Sequence, residues 1–371
     1  MKLALSPIDT WFFRDGTPFD MGASPQAGVL GVFPPYPPTV AGAIRAALAI
    51  QNGWDGHSRW SRDIEAVLGD GPENLGALQI TGPFLLYQGA PVFPVPRHLL
   101  GRFDDDGKWL PAGMLRPGAA TVSDLGPSVR FPELAPGVAD PPSLAPATRH
   151  WVTLSGLELI LHGDLPGADH LLDESDLWAI EPRVGIAREA NSRTTAEGAL
   201  YSTRHVRLRP SVSIGVEVDG VPSSWRSPAG SVLPCGGESR LAACEPWEAG
   251  LRVKLDSETG GSGTVVLVAV TPVLLEHDVA CGRSKLSIGG ARIVSTCADR
   301  PLRIGGWDSL RRAPLPMRNA IAPGSSMFCE VERIDELRKA LAGGLLRVGA
   351  MTTAGFGLCV VGKAPTWERM T

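Results

Sequence analysis

The sequence predicts an α+β fold made of two ferredoxin-like domains with long loop insertions. Near each end of the chain, strand-like and helix-like patterns follow one another in the order of a ferredoxin-like unit. Stretches rich in Gly and Pro separate these patterns. The 371 residues are enough for two domains, and contents of 43% hydrophobic and 20% charged residues are typical of a globular chain.

The first unit is predicted from the N-terminal part of the chain. Residues 2–13 begin with apolar alternation and predict a strand. A loop rich in Gly and Pro over 14–38 leads to a helix, for which Thr39 is the expected N-cap. Residues 77–95 predict two strands joined near Gly89. The apolar face of the helix consists of Val40, Ile44, Ala47 and Leu48.

The middle of the chain has weaker patterns. Residues 101–150 contain an acidic run at 104–106 and eight prolines after position 110, so we expect loops there. Residues 152–161 and 211–218 predict strands, and the stretch between them is rich in Arg.

The C-terminal part repeats the early pattern and predicts the second unit. The continuous apolar run 264–275 predicts a buried strand. Residues 332–344 predict a helix that ends at two glycines. A glycine-rich loop over 345–357 and a final strand over 358–362 follow.

These patterns divide the chain into three parts. We expect an N-terminal domain over 1–165, with a Pro- and Gly-rich insertion near 101–150. An Arg-rich insertion follows over 166–210. The C-terminal domain covers 211–371 and ends in the glycine-rich loop and the final strand.

The basic charge is concentrated in two segments, 183–209 and 300–318. Each has a net charge of +4, although the whole chain has −4, so the remainder has −12. The chain contains 29 Arg and 6 Lys, which a GC-rich genome also explains. A local basic groove for nucleic acid is therefore expected, and a coating of the entire surface is not.

Other compositional features exclude several classes of protein. No apolar run reaches the length of a membrane span, and the first residues turn polar too soon for a secretory signal, so we expect a cytoplasmic protein. The six cysteines form no CxxC pair and have no His at zinc-ligand spacing, which predicts reduced, partly buried thiols.

No catalytic constellation is evident. The sequence has neither a P-loop nor a G-x-S-x-G elbow, and the His277-Asp278 pair lacks further metal ligands at suitable spacing. We therefore expect no metal and no cofactor. For an RNA-cleaving protein, His205 is the best candidate for the general acid or base, but an RNA-contacting or structural role is the favoured interpretation.

Three sets of motifs carry a resemblance to a known family. The first set is Phe-Arg-Asp-Gly-x-Pro-Phe (13–19), Phe-Pro-Pro-x-Pro-x-Thr (33–39) and Ala-Gly-Ala-x-Arg (41–45). The second is EPRVGIAREANSRTTAEGALYSTRHVRL (181–208). The third is GGWD (305–308), PMRNAIAPGSSMFCEV (316–331) and GFGLCVVG (355–362). Together, and in this order, they resemble the third Cmr subunit of type III-B CRISPR effector complexes, in the RAMP superfamily.

The resemblance implies two RAMP-type domains, each with an RRM-like ferredoxin fold. It also implies binding to the 5′ tag of the CRISPR RNA, without nuclease activity. The implied position in the complex is between the large polymerase-type subunit and the backbone RAMP subunit. The segment 101–150 contains no motif that we recognise from the family.

The residues themselves suggest where RNA binds. The central segment interleaves arginines with small polar groups that suit phosphate and 2′-hydroxyl contacts, although a solvated strand with internal ion pairs has the same composition. The second basic segment fits either RNA or a partner subunit. The candidates are Arg183, Arg188, Asn191, Arg193, Thr194, Arg204, His205 and Arg207 in the first segment and Arg311, Arg312 and Arg318 in the second.

Two other places are candidates for RNA contact. Arg14 either reaches RNA or pairs with a nearby Asp. In the loop 349–357, glycines allow backbone amides to form an anion-binding nest, and hydroxyl groups add donors; a tight connection is the alternative. Phe356 is expected in the core. The candidate residues of this loop are Thr352, Thr353, Gly355 and Gly357.

Three functions are compatible with the sequence. The first is a non-catalytic subunit that anchors the RNA tag and bridges the large and backbone subunits. The second is a metal-independent RAMP endoribonuclease that processes CRISPR RNA. The third is an assembly subunit that contacts proteins only, for which the apolar, Pro-rich stretch 28–38 is a candidate docking surface.

Overall fold

The computed structural model describes residues 1–14, 31–123, 126–135, 143–188, 195–254, 263–274, 286, 288–308 and 311–364. It is a mixed α/β structure in which strands predominate. The helices of this part are α1 (Pro37–Gln51), α2 (Arg62–Leu68), α3 (Leu154–His162), α4 (Glu174–Leu177) and α5 (Ile334–Ala340).

Strands greatly outnumber helices among the described residues. The first half of the chain contains β1 (Lys2–Pro7), β2 (Gln79–Tyr87), β3 (Ala90–Pro94), β4 (Leu99–Phe103), β5 (Trp109–Ser123), β6 (Gly126–Leu134), β7 (Ala145–Pro146), β8 (His150–Thr153), β9 (Leu171–Asp173) and β10 (Trp178–Arg188). The second half contains β11 (Thr195–Leu208), β12 (Val212–Asp219), β13 (Ser231–Pro234), β14 (Leu241–Pro246), β15 (Thr264–Ala269), β16 (Arg292–Cys297), β17 (Leu302–Ile304), β18 (Trp307–Asp308), β19 (Ala313–Pro314), β20 (Arg318–Ala320), β21 (Ser326–Glu330), β22 (Leu345–Arg347) and β23 (Leu358–Lys363).

The chain forms two compact units, each built from three separate stretches. The first unit contains residues 1–89, 175–248 and 303–318. The second contains residues 90–174, 249–302 and 319–371. The domain boundaries predicted from the sequence, at 165 and 210, stay a prediction.

The first unit is organised around strand β1. Its strands follow the order β13-β14-β1-β12-β2, and the pairs of β1 with β12 and β14 and of β12 with β2 are antiparallel. Leu3 and Leu5 alternate with more exposed neighbours along β1 and are buried. Helix α1 packs against β2 and β13. The predicted apolar face of this helix is buried at all four positions, which confirms the helical spacing.

The second unit contains a sheet in the order β16-β21-β15-β23-β22, and its described pairs are antiparallel. Its core is formed by alternate residues of these strands, such as Val265, Leu267, Met327 and Val361, together with Leu337 of α5. The predicted final strand is confirmed as β23. The predicted strand 264–275 ends earlier, at Ala269.

Residues 101–150 are largely β-structure, so the prediction of loops was wrong. Strands β4, β5 and β6 form successive antiparallel pairs, and β7 pairs with β4. Prolines are tolerated because several of them lie where the register shifts, as at Pro117 and Pro132. Trp109 is buried and donates a hydrogen bond from Nε1 to the carbonyl oxygen of Ala145, at 3.2 Å.

The prediction of a strand over 152–161 was also wrong, because most of this segment is helix α3. Thr153 is the N-cap, and its hydroxyl oxygen accepts a hydrogen bond from the amide of Gly156 at 3.2 Å. Leu157, Ile160 and Leu161 are buried at helical spacing. Gly163, in the left-handed region with φ 97°, ends the helix.

Helix boundaries differ in two further places. Helix α1 begins at Pro37 with Tyr36 as N-cap, so Thr39 lies inside the first turn and is not the cap that was expected. The preceding prolines suit the first helical positions because those amides lack intrahelical acceptors. Helix α5 is shorter than predicted and ends at Ala340. No helix in the described part of the chain combines the length and apolarity needed to span a bilayer.

The described cysteines are free thiols in apolar surroundings. Cys235, Cys244, Cys297, Cys329 and Cys359 are all buried. Burial raises the pKa of Cys244 to about 11, with a smaller contribution from Glu245, and raises that of Cys235 to about 12. These thiols are therefore protonated and unreactive at neutral pH. Cys281 lies outside the described residues.

The last connection of the second unit is a tightly packed turn. The amide of Gly357 donates to the carbonyl oxygen of Pro272 at 2.8 Å, and that of Gly355 donates to Thr352 at 3.3 Å. Phe356 is buried, as predicted. The amides of both glycines are thus engaged inside the protein, and phosphate binding by this loop stays a prediction.

Gly357→Ala should lower the free energy of unfolding by about 2 kcal/mol or more. Gly357 has φ 69°, and an added Cβ would lie 1.8 Å from the carbonyl oxygen of Val348. Gly42→Ala is the matched control, because Gly42 lies in α1 with open space around it; this change should stabilise the protein by about 0.5–1 kcal/mol. Urea unfolding measures both changes, and equal effects would contradict the steric argument.

The protein should lose stability as the pH falls from 6.5 towards 4. His98 is buried and its Nδ1 lies 2.7 Å from the hydroxyl oxygen of Ser326. Burial lowers the pKa of His98 from 6.5 to about 4. Between these values the unfolded chain binds the proton and the native protein does not, so the loss is at most about 1.4 kcal/mol per pH unit for this group.

Urea unfolding at pH 7.5 and pH 5.0 measures this dependence. His98→Gln should reduce the difference between the two values, whereas the control His57→Gln, at an exposed position, should leave it unchanged. Burial also lowers the pKa of His150 and His205, so part of the dependence should remain. An undiminished pH dependence in His98→Gln would rule out this assignment.

Candidate nucleic-acid interface

The Arg-rich segment forms a two-stranded antiparallel ribbon of β10 and β11. The register extends from Trp178 opposite Leu208 to Ile186 opposite Leu200, with an irregularity before Arg188. Successive side chains of a strand point to opposite faces, so the ribbon has two different surfaces. The predicted candidates Asn191, Arg193 and Thr194 lie outside the described residues, and Arg188 is placed only as part of β10.

One surface of the ribbon carries an ion-pair network. Asp9 lies 2.8 Å from the Nη2 of Arg183 and 2.9 Å from the Nη2 of Arg207. Glu181 also pairs with both arginines, at 2.6 Å each. Arg240, just before β14, lies 3.7 Å from Asp9. The hydrogen bonds from Arg183 and Arg207 lower the pKa of Asp9 to about 2, so its carboxylate is charged at neutral pH.

His205 lies on this surface opposite Glu181, but its ring faces the protein interior. Only 2% of the residue is exposed. Its Nδ1 lies 3.1 Å from the hydroxyl oxygen of Thr10, and its ring stacks on Phe12 with a centroid distance of 5.3 Å. Burial, and then the charge of Arg240, lowers its pKa. This geometry favours the structural interpretation over RNA contact or catalysis.

The other surface of the ribbon carries exposed apolar side chains. Val184 is 71% exposed and Ile180 is 40% exposed. Pro182 and Arg204, which are paired across the ribbon, are exposed as well. Arg204 is therefore accessible on one face of the two-stranded ribbon, and Arg183 and Arg207 are accessible on the other face.

The segment around Arg14 lies against strand β11. Arg14 is exposed and forms an isolated bridge with Gly31. A Cβ at Gly31 would lie 2.6 Å from the carbonyl oxygen of Arg204, which shows how closely the two backbones approach. Phe33 packs edge-on against Trp178 at 4.8 Å, so part of the apolar stretch 28–38 serves internal packing. Residues 28–30 lie outside the described residues.

The second basic segment contains β17, the small hairpin of β18 and β19, and the start of β20. Asp308 is buried and accepts a hydrogen bond from the amide of Arg311 at 3.0 Å. Burial lowers the pKa of Arg45 to about 10, and the charges of Asp70 and Asp308 partly oppose this shift. Arg312 is exposed with φ 50°. Arg318 pairs with Glu73. Trp307, which sequence reasoning did not single out, is 61% exposed on the same hairpin.

The predicted site residues therefore fall into three groups. Arg14, Arg183, Arg204, His205 and Arg207 gather at β10 and β11. Arg311 and Arg312, between β18 and β19, and Arg318, in β20, belong to the same unit but lie outside the ribbon. The loop candidates Thr352, Thr353, Gly355 and Gly357 belong to the second unit.

Sequence reasoning missed the residues that hold the arginines in place. Glu181 precedes Arg183 by two positions and shares its face of the strand, a local signal that was available. Asp9 and Arg240 carry no such signal, because they are distant in sequence from both arginines. In the part of the chain that the structure describes, no three His, Cys, Asp or Glu side chains converge as metal ligands would.

Comparison with known proteins agrees with this architecture. The solved structure of a type III-B Cmr-β complex, bound to cognate target RNA and AMPPnP, contains a chain with a TM-score of 0.52 and 16% identity, covering 92% of this chain and 90% of that chain. A chain of the type III-A Csm3-Csm4 subcomplex has a TM-score of 0.40 and 9% identity, with 88% and 91% covered. None of the curated proteins matches the sequence.

The sequence itself gives the more specific result. Residues 3–364 match the family described as CRISPR-associated protein (Cas_Cmr3). The match covers nearly the whole chain, including all three sets of motifs and the segment 101–150. The resemblance inferred from the motifs is confirmed: the chain belongs to the Cas_Cmr3 family, the third Cmr subunit of type III-B CRISPR effector complexes.

Proposed function

We propose that this chain is the non-catalytic subunit that binds the 5′ tag of the CRISPR RNA. The observation that carries the proposal is the concentration of accessible arginines on β10 and β11. Arg204 is exposed on one surface of the ribbon, and Arg183 and Arg207 are half-exposed on the other. An RNA backbone that follows the ribbon would meet guanidinium groups from both sides.

The tertiary structure supports a RAMP-type architecture for both units. In the first unit the strands that follow one another as β1, β2, β12 and β14 lie in the order β14-β1-β12-β2. In the second, β15, β16, β21 and β23 lie in the order β23-β15-β21-β16. Both are the 4-1-3-2 order of a ferredoxin-like sheet. We propose that each unit is a ferredoxin-like domain in which long insertions replace regular connections.

The proposed position in the complex is between the large polymerase-type subunit and the backbone RAMP subunit. Exposed apolar side chains offer surfaces for such partners, among them Val184 on the ribbon and Trp307 on the second hairpin. The chain of similar fold belongs to a solved type III-B Cmr-β complex with bound target RNA. This supports the proposal that the present chain contacts both RNA and other subunits. If purified large subunit and this chain elute separately at micromolar concentration, the bridging role is wrong.

Arg204→Ala should weaken binding of tag-containing RNA and flatten its dependence on salt. A lost phosphate contact reduces the slope of log K against log salt by about 0.7 for a single strand. The melting temperature should barely change, because Arg204 is exposed and forms no ion pair with the described residues. Fluorescence anisotropy at several salt concentrations measures affinity and slope.

Arg338→Ala on helix α5 is the matched control, since it removes the same charge from the other unit. An equal loss of affinity in both variants would mean that net charge, and not the ribbon, attracts RNA. Retained affinity with a lower melting temperature in Arg204→Ala would make the residue structural.

His205→Asn should leave the length of bound RNA unchanged in reconstituted complexes. The amide of Asn keeps a hydrogen-bonding group near Thr10, and the ring of His205 is buried away from solvent. Gel analysis of labelled repeat RNA gives the result. If the wild type cleaves the RNA and the variant binds it without cleavage, the endoribonuclease alternative is favoured. Neither cleavage nor binding by the wild type would favour the protein-only alternative.

A further inference from the structure

Three guanidinium groups from separate parts of the chain converge on one carboxylate. Arg183 lies in β10, Arg207 in β11 and Arg240 in the turn before β14. Their nitrogens lie 2.8, 2.9 and 3.7 Å from the oxygens of Asp9. Asp9 follows strand β1 and is itself about half exposed, so water and solutes reach the carboxylate.

The two carboxylates of this network share the Nη2 of Arg183 and otherwise contact different nitrogens. Glu181 accepts hydrogen bonds from the Nε of Arg183 at 2.9 Å and the Nε of Arg207 at 2.6 Å. The Nη2 of each arginine points to Asp9. Glu181 also contacts the Nη2 of Arg183. Glu181 is fixed within β10, whereas Asp9 lies in a bend outside any strand. Glu181 thus orients both guanidinium groups, and their outer nitrogens form a site that Asp9 fills.

A phosphate has the features that such a site recognises. Its oxygens accept the same charge-assisted, often bidentate hydrogen bonds from arginine as a carboxylate does. Exchange of one anion for another leaves the arginines paired throughout, so it does not leave a desolvated charge uncompensated.

We propose that Arg183, Arg207 and Arg240 form a binding site for a single RNA phosphate, and that Asp9 occupies this site until RNA displaces it. Glu181 is the positioning residue: it fixes the orientation of the Arg183 and Arg207 guanidinium groups. The inference rests on the proposed function, because it assigns one phosphate of the bound RNA to a defined place. It adds Arg240, Asp9 and Glu181 to the residues that govern RNA binding.

The exchange has a consequence for affinity and specificity. Condensed cations leave the RNA when a phosphate is neutralised. Displaced Asp9 stays close by as an unpaired carboxylate, so exchange of Asp9 for phosphate neutralises little net charge and adds little to the salt dependence. Asp9 therefore opposes RNA that offers only backbone charge. RNA that also makes other contacts overcomes this opposition, so it binds at concentrations at which backbone charge alone does not suffice.

The test compares Asp9→Asn with Asp55→Asn. Asp55 is also an exposed carboxylate with a pKa lowered to about 2, but it accepts hydrogen bonds from the amides of His57 and Ser58 in place of arginines. Both variants change the net charge equally. Binding of tag RNA and of scrambled RNA of the same length is measured by fluorescence anisotropy at several KCl concentrations.

Asp9→Asn should bind scrambled RNA several-fold more tightly at low salt and steepen the salt slope by about 0.7, while Asp55→Asn should match the wild type. The affinity for tag RNA should rise by a similar factor, because both RNAs displace Asp9. Arg240→Ala introduced into Asp9→Asn should cancel part of the gain, a coupling that a double-mutant cycle quantifies. Melting temperatures show whether Asp9→Asn is folded; if it is not, Arg240→Ala alone should weaken tag binding at an unchanged melting temperature.

Several outcomes would overturn the proposal. One is Asp9→Asn behaving like Asp55→Asn, and another is Asp9→Asn losing RNA affinity, which would make Asp9 a direct contributor to binding. For Arg240→Ala, unchanged tag binding would also reject the site. If the wild type shows no preference for tag RNA but Asp9→Asn still gains affinity for scrambled RNA, the proposed function fails while the phosphate site stands.

Discussion

Repulsion between neighbouring guanidinium groups is the constraint on which the β10–β11 ribbon depends. Arg183 and Arg207 project from adjacent strands onto the same surface, where unpaired cations would oppose each other. Glu181 and Asp9 lie between them and convert the repulsion into a network of charge-assisted hydrogen bonds. Because Asp9 follows directly after β1, the network also ties the ribbon to the central strand of the first unit's sheet.

Elements with a strong local period could be predicted from the sequence. The buried face of α1 and the strands β12 and β23 were predicted because apolar residues at helical spacing, or in a run of strand length, mark buried positions whatever the surrounding topology. The two strands on either side of Gly89 were marked by a turn whose residues Gln88 and Gly89 both have positive φ. The concentration of arginines on one element could also be read directly from their spacing.

Features that arise from distant contacts could not be predicted. Proline-rich residues 101–150 form strands because β4, β5 and β6 pair with one another through register shifts, which no local pattern announces. Helix α3 was mistaken for a strand since the two residues before it are β-branched, and the capping role of Thr153 was overlooked. The pairing of Asp9 with Arg183 and Arg207 spans 174 and 198 residues, so only the folded chain brings these charges together.

The same network bears on how an acidic protein binds RNA selectively. A chain with a net charge of −4 has no general attraction for polyanions, and its accessible arginines at the ribbon are partly neutralised by its own carboxylates. Under the proposed function, backbone phosphate alone gives weak binding, and the balance is tipped by contacts that only the correct RNA makes. Free arginines in the same positions would raise affinity for every RNA by the same counterion release, so RNA that makes no further contacts would also be bound. Internal pairing of the arginines is therefore compatible with RNA binding, and it keeps binding through backbone charge alone weak.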